Sequence, residues 1–262
     1  MDTLQIYQID AFAARPFRGN PAAVCPLDRW PGDELMQAIA AENNLSETAF
    51  LVPRGTDFGL RWFTPTREVD LCGHATLASA WVVLHRLQPG RDRVTFHTRS
   101  GALAVEAAAD GLLRMDFPEL AMQPCEVPPG LSAALGCRPR EVLAGMDYMA
   151  VLESERQVRE LAPDLRALAG LDRRGLIVTA PGERADFVSR FFAPGAGIDE
   201  DPVTGSAHCA LAPFWAGRLG RAGLEGQQVS ARGGTVLCTV GSGRVTLAGR
   251  CAFFLQGEIR LP

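Results

Sequence analysis

The chain has no lysine; all 26 of its basic residues are arginine. A Schiff base with a carbonyl substrate or a pyridoxal cofactor needs a lysine amine, and a P-loop needs one for its phosphates, so both chemistries are excluded. Arginine keeps its charge and holds carboxylates through two parallel bonds, so an anionic substrate is met by arginines or by backbone amides. No Gly-x-Gly-x-x-Gly follows the first strand-like run, which speaks against a dinucleotide cofactor. The seven cysteines (Cys25, Cys72, Cys125, Cys137, Cys209, Cys238, Cys251) form no Cys-x-x-Cys pair and are odd in number, and the four histidines lack metal-helix spacing. Neither a disulfide framework, a metal nor a cofactor is expected. A net charge of −4 leaves no basic stripe for nucleic acid. No run reaches the roughly 18 apolar residues of a membrane span, and the first residues enter a strand-like stretch, Leu4 to Ile9, without the basic and apolar regions of a leader. The expectation is a cytoplasmic protein with no membrane and no nucleic-acid partner.

What the chain does have is an echo of itself. Arg61-Trp62-Phe63-Thr64-Pro65, then Asp70, then Cys72-Gly73-His74-Ala75 returns as Arg190-Phe191-Phe192-Ala193-Pro194, then Asp201, then Thr204-Gly205-Ser206-Ala207. The offsets are 129 and 132, close to half of 262 residues. A strand, a turn and a Gly-led helix start repeated at half length predict two copies of one unit, with two helix N-termini around one cleft, where anions bind. With 47% hydrophobic and 21% charged residues there is core for two units.

The hydrophobic pattern predicts a strand over 4–12, a turn at Arg18-Gly19-Asn20-Pro21, a short strand over 22–25 and a helix from Asp33 to about Asn43. A strand over 45–52 follows, on which Glu47 shares the covered face with Leu45, Ala49 and Leu51. The helices from Gly73 and from Gly205 are apolar around most of their girth, which places each inside its unit. Strands are expected over 94–98, 102–107 and 112–117, with a proline-rich connection over 118–129. The second half is expected to hold a strand over 148–152, a helix over 155–169, strands near 175–180 and 186–192, and four short strands from Val229 onward. The domains are drawn as 1–118 and 119–262, the last strand being free to return to the first.

Four motifs, Gly19-Asn20-Pro21, Asn44-Leu45-Ser46-Glu47-Thr48-Ala49-Phe50, Asp70-Leu71-Cys72-Gly73-His74-Ala75-Thr76 and Asp199-Glu200-Asp201-Pro202-Val203-Thr204-Gly205-Ser206-Ala207, occur in order along essentially the whole chain. Together they resemble the PhzF family of phenazine-biosynthesis-like isomerases. The resemblance implies an α+β, diaminopimelate epimerase-like fold of two pseudo-repeated domains, each with a curled mixed sheet around a central helix, and an active site in the inter-domain cleft. It also implies a homodimer that acts on a small-molecule carboxylate substrate without cofactor or metal. At the positions it matches, Glu47 is the catalytic acid/base, and His74, Asp201 and Ser206 line the site. A carboxyl does such chemistry by taking a proton from one carbon and returning it to another of the same bound substrate.

Other readings stand beside these roles. Glu47 could pair with an arginine, His74 could be a satisfied core histidine, Asp201 could cap the second helix, and Asn20 is accounted for by its turn. For substrate binding, the Ser206 hydroxyl and the amides of Gly205, Gly73 and His74 are expected to hold a carboxylate, with Asn20 and Cys72 beside them. Related racemases of this fold use two facing thiols, but the position mirroring Cys72 is Thr204. A hydroxy amino acid dehydratase or epimerase with Cys72 as its base, or a non-catalytic small-molecule-binding protein of the same fold, are the alternatives.

Overall fold

A computed structural model describes residues 3–261. In chain order the elements are β1 (Thr3–Ala11), β2 (Asn20–Pro26), α1 (Asp33–Asn43), β3 (Glu47–Arg54), β4 (Asp57–Phe63), β5 (Glu68–Val69), α2 (Gly73–Val82, continued by a π-helical turn at Val83–Leu87), β6 (Arg93–Thr98), β7 (Gly101–Ala107), β8 (Leu113–Pro118) and β9 (Gln123–Pro124). There follow α3 (Leu131–Leu135), β10 (Glu141–Ala144), β11 (Tyr148–Val151), α4 (Glu155–Glu160), α5 (Leu165–Leu168), β12 (Leu176–Pro181), β13 (Phe187–Ala193), β14 (Ile198–Asp201), α6 (Gly205–Leu219), β15 (Gly223–Gln228), β16 (Gly234–Gly241), β17 (Arg244–Gly249) and β18 (Cys251–Arg260). The chain divides into two units, Met1–Asp116 with Ala248–Pro262, and Phe117–Leu247. The last strand therefore lies in the first unit, antiparallel to β1.

Each unit repeats one pairing scheme. In the first, β1 runs antiparallel to β2, β2 parallel to β3, β3 antiparallel to β4, β4 parallel to β6 and β6 antiparallel to β7. In the second, the same alternation runs through β10, β11, β12, β13, β15 and β16. The short β5 and β14 pair with β4 and β13 just before the helix in each unit. Parallel neighbours need a crossover, and helices supply it: α1, or α4 with α5, in the first crossover and α2 or α6 in the second.

The second crossover helix forms the inner layer of each unit. Nearly every residue of α2 is buried, and the helix packs on β1, β2 and β3; α6 is buried along most of its length and packs on β15 and β16. Small residues at Ala75, Ala78, Ala80, Ala207, Ala210 and Ala212 let the strands approach closely from several sides. The polar residues of α2 are satisfied locally: Thr76 Oγ1 donates to Cys72 O at 2.6 Å and Ser79 Oγ to Ala75 O at 2.7 Å.

The predicted helix over 155–169 is two short helices. Pro163 cannot continue a helix, since its ring clashes with the carbonyl four residues back, and Asp164 starts α5 afresh by accepting from Ala167 N at 3.1 Å. The apolar spacing misleads because Val158, Leu161 and Leu168 enter one core cluster from both sides of the break. The terminal strands begin earlier than expected, with β15 at Gly223, so three rather than four follow Val229. On β3 the two faces do not divide into covered and open: Glu47, Thr48, Ala49, Phe50 and Leu51 are all buried, as in a strand covered on both sides.

Candidate functional site

In the first unit, three loop-to-element junctions bring four of the predicted residues together. Gly19 has φ +66°, and a Cβ there would lie 2.1 Å from Ala11 O, so only glycine makes this turn. The turn delivers Asn20 as the first residue of β2, fully buried. Glu47 opens β3, which runs parallel beside β2 with Glu47 opposite Ala22. Cys72, with φ −145° and ψ 109°, precedes α2 at its N-cap, and His74 is the second residue of that helix.

The histidine ring is the hub of this group. Its Nε2 lies 3.0 Å from Glu47 Oε2, and its Nδ1 is 3.2 Å from Asn20 Nδ2 and 3.5 Å from Cys72 Sγ. When the ring is neutral the Asn20 amide donates to Nδ1, which leaves the ring proton on Nε2 facing Glu47; an amide turned end for end serves the charged ring as well. The contact with Glu47 has ion-pair length but poor hydrogen-bond alignment, so Oε2, although buried, has no aligned donor among the described residues. Burial disfavours a charged ring, yet the Cys72 sulfur at 3.5 Å and the Glu47 carboxylate at 3.0 Å favour it and hold the His74 pKa well above the ordinary histidine value. The Cys72 thiol is pushed up to about 11, by burial first and by the Glu47 charge next. A thiol so placed keeps its proton at neutral pH, which removes the thiolate that a cysteine base requires.

Glu47, Cys72 and His74 also form the one set among the described residues whose donor atoms, all within 4.8 Å of one another, could hold a metal ion. The sequence expectation of no metal looked for ligand spacing along one helix and did not foresee this grouping. Cys72 Sγ is nearer Nδ1 than Nε2, at 3.5 against 4.0 Å, so a cation on Nε2 would require the thiol to turn.

In the second unit the predicted residues fall into two hydrogen-bonded sets. Asp201, the buried end of β14, accepts from Thr204 Oγ1 at 2.5 Å. Gln228, fully buried on β15, holds the same turn from both ends of its amide: Oε1 accepts from Thr204 N at 2.9 Å and Nε2 donates to Asp201 O at 2.7 Å. Ser206 belongs to the other set, where its Oγ accepts from Arg174 Nη2 at 3.0 Å. Gly73 and Gly205 open α2 and α6, whose first amides have no partner inside their own helices. Gln228, Arg174 and Asp147 were not foreseen; each is far in sequence from the residue it holds. Asn20, expected to bind substrate, contacts His74.

The profile of the phenazine biosynthesis-like protein family, PhzC-PhzF, matches residues 9–257. The chain belongs to the PhzF family. An uncharacterized isomerase of Pseudomonas aeruginosa is 54% identical over 98% of this chain and 99% of its own, and a human phenazine biosynthesis-like domain-containing protein is 38% identical over 98% and 99%. Among solved structures, a PhzF-family protein of Enterococcus faecalis superposes with a TM-score of 0.96 at 45% identity over 99% of this chain and 100% of its own. A hydroxyproline epimerase of Agrobacterium vitis shares the fold alone, at a TM-score of 0.60 and 10% identity over 98% and 92%. The protein is thus a PhzF-like isomerase with the α+β, epimerase-like fold. Among its described residues no helix is long and apolar enough to cross a membrane.

Proposed function

We propose that this PhzF-family enzyme is a cofactor-independent isomerase that moves a proton between carbons of one small carboxylated metabolite, cyclic or unsaturated, with Glu47 as the acid/base. The observation that carries this reading is Glu47 Oε2, a buried carboxylate oxygen beside His74 Nε2 that has no aligned donor among the described residues. Such an oxygen is free to accept a proton from one carbon and to return it to another of the same bound substrate. His74 balances the charge of the carboxylate, and Asn20 holds the ring that does so. Asp201, held by Thr204, is assigned as the second catalytic carboxyl. Ser206 and the helix-start amides at Gly73 and Gly205 are assigned to the substrate carboxylate. Homodimers in the cytoplasm complete the proposal, the seven free cysteines fitting a reducing compartment.

The test incubates wild type and Glu47→Gln with a panel of unsaturated carboxylic acids in deuterated water, read by mass spectrometry and proton NMR. Deuterated or isomerised product formed by wild type, and reduced at least about a hundredfold in the variant, is expected. Exchange that survives Glu47→Gln and disappears in Cys72→Ala would transfer the role to the thiol.

A further inference from the structure

The second unit carries a guanidinium that is fixed in place with donors left over. Arg174 lies just before β12. Its Nε donates to Asp147 Oδ1 at 2.9 Å and its Nη2 to Asp147 Oδ2 at 2.5 Å. Asp147 is 2% exposed, and its carboxylate has no other partner among the described residues. The guanidinium plane stacks over Phe191 at 5.3 Å, and the second proton of Nη2 goes to Ser206 Oγ. These contacts use three of the five N–H groups of an arginine. The two on Nη1 have no acceptor among the described residues, and the side chain is 38% exposed. Because Ser206 Oγ accepts from Arg174, the hydroxyl proton is left to point elsewhere.

Neutralising a buried carboxylate explains the bond to Asp147 and nothing more. It leaves unexplained why the guanidinium also leans on Ser206 and offers two bare N–H groups to solvent. Nη1 and the Ser206 hydroxyl flank the same Nη2, and each has a proton to donate; no carboxylate but that of Asp147 meets the guanidinium among the described residues. Directional donors without an acceptor suit an anion with two oxygens, and an arginine already immobilised loses little further freedom on binding it.

From this arrangement we infer that Arg174 selects a carboxylate group on the substrate, with Nη1 of Arg174 and the hydroxyl of Ser206 donating to its two oxygens and Asp147 positioning the guanidinium. The inference rests on the proposed reading of the substrate as a carboxylate and names the residue that makes it one. A primary amide of the same shape binds far more weakly, because it brings no negative charge to the guanidinium.

The experiment measures binding to the whole protein by saturation-transfer NMR and calorimetry, using benzoate, crotonate and cyclohex-1-enecarboxylate, each beside its primary amide. Wild type should bind at least one acid and disregard its amide. Arg174→Gln should weaken that acid about ten- to a hundredfold, the range of lost charge-assisted hydrogen bonds, and leave the amide unchanged. Arg174→Lys keeps the charge and should recover only a minor part, since an ammonium cannot grip Asp147 and Ser206 together. Ser206→Ala, which removes one donor without burying a charge, should weaken the acid less and keep the melting temperature. Equal binding of acid and amide by wild type, undiminished acid binding in Arg174→Gln with Ser206→Ala, or silence of all three acids would overturn the inference. Glu47→Gln separates the two readings. Acid binding that depends on Arg174 in a protein with no Glu47-dependent exchange sinks the isomerase mechanism alone, and Glu47-dependent exchange on a substrate insensitive to Arg174→Gln sinks only the carboxylate anchor.

Discussion

His208 makes a prediction that reaches from one side chain to the stability of the whole second unit. It is fully buried on α6, its Nδ1 donates to Thr204 O at 2.8 Å, and its Nε2 has no partner among the described residues. Burial, opposed only by the bond to Thr204, pushes its pKa down from 6.5 to about 4. Above pH 6.5 neither the folded nor the unfolded chain holds the proton, and the residue has no effect on the balance. As the pH falls through that value the unfolded chain takes up a proton that the folded ring refuses, so stability declines until about pH 4, where both forms are charged. At 1.36 kcal/mol for each pH unit of displacement the loss across this window is about 3 kcal/mol, a large part of the roughly 5–15 kcal/mol that holds a domain folded.

His208→Asn isolates the effect, because an asparagine amide can replace Nδ1 as donor to Thr204 O and does not titrate. Urea unfolding of wild type and variant, followed by tryptophan fluorescence at steps from about pH 8 to about pH 4.5, gives two curves whose difference cancels the carboxylates common to both. The variant should start lower by about 1–2 kcal/mol from lost packing, and then lose less than wild type on acidification, so that the gap closes or reverses near pH 5. His74 does not confuse the window. Its pKa is held above the ordinary value, so its contribution is lost as pH rises above 6.5 rather than as pH falls below it. Curves that stay parallel between pH 6.5 and 4.5 would refute the reasoning.

Two further outcomes concern the site. Gly19→Ala puts a Cβ at φ +66° against Ala11 O and should destabilise the protein by about 2–3 kcal/mol or more, with loss of Glu47-dependent exchange beyond what stability explains, because Asn20 moves with the turn; an unchanged melting temperature would show that the turn relaxes freely. Iodoacetamide at neutral pH should modify the exposed Cys125 and leave Cys72, buried and pushed up to about 11, unreacted in the folded protein. Peptide mapping that finds Cys72 alkylated as readily as Cys125 would reopen the thiol as a base.

Sequence revealed most where structure is local. A glycine at a helix start, a turn that only glycine can make, and the echo of one Arg-strand-helix phrase needed no distant partner, and all three reappear in the fold. The echo extends to side-chain detail: Arg61 grips Glu68 through two bonds of 2.7 Å and stacks over Phe63, while Arg190 grips Glu200 through bonds of 2.7 and 2.9 Å and stacks over Phe192. Glu47 stood out as a carboxylate on an apolar strand. What stayed hidden depends on chain closure. Asp147 reads as an ordinary acid before a strand, and only the meeting with Arg174, 27 residues on, shows it to be a buried counter-ion. The His74 and Glu47 contact spans 27 residues as well, and four motifs in order pointed to it where spacing could not.

The two helix starts show how one scaffold came to hold unlike chemistry. In each, the residue four places past the N-cap bonds back to the N-cap carbonyl: Thr76 to Cys72 in α2, His208 to Thr204 in α6. That shared bond fixes the first turn whatever the neighbouring side chains are, which leaves the position between free to differ. In α2 it is His74, a titratable ring set against a buried carboxylate. In α6 it is Ser206, a hydroxyl set against a fixed guanidinium. On the proposed function, the first start serves the proton transfer and the second holds the substrate carboxylate.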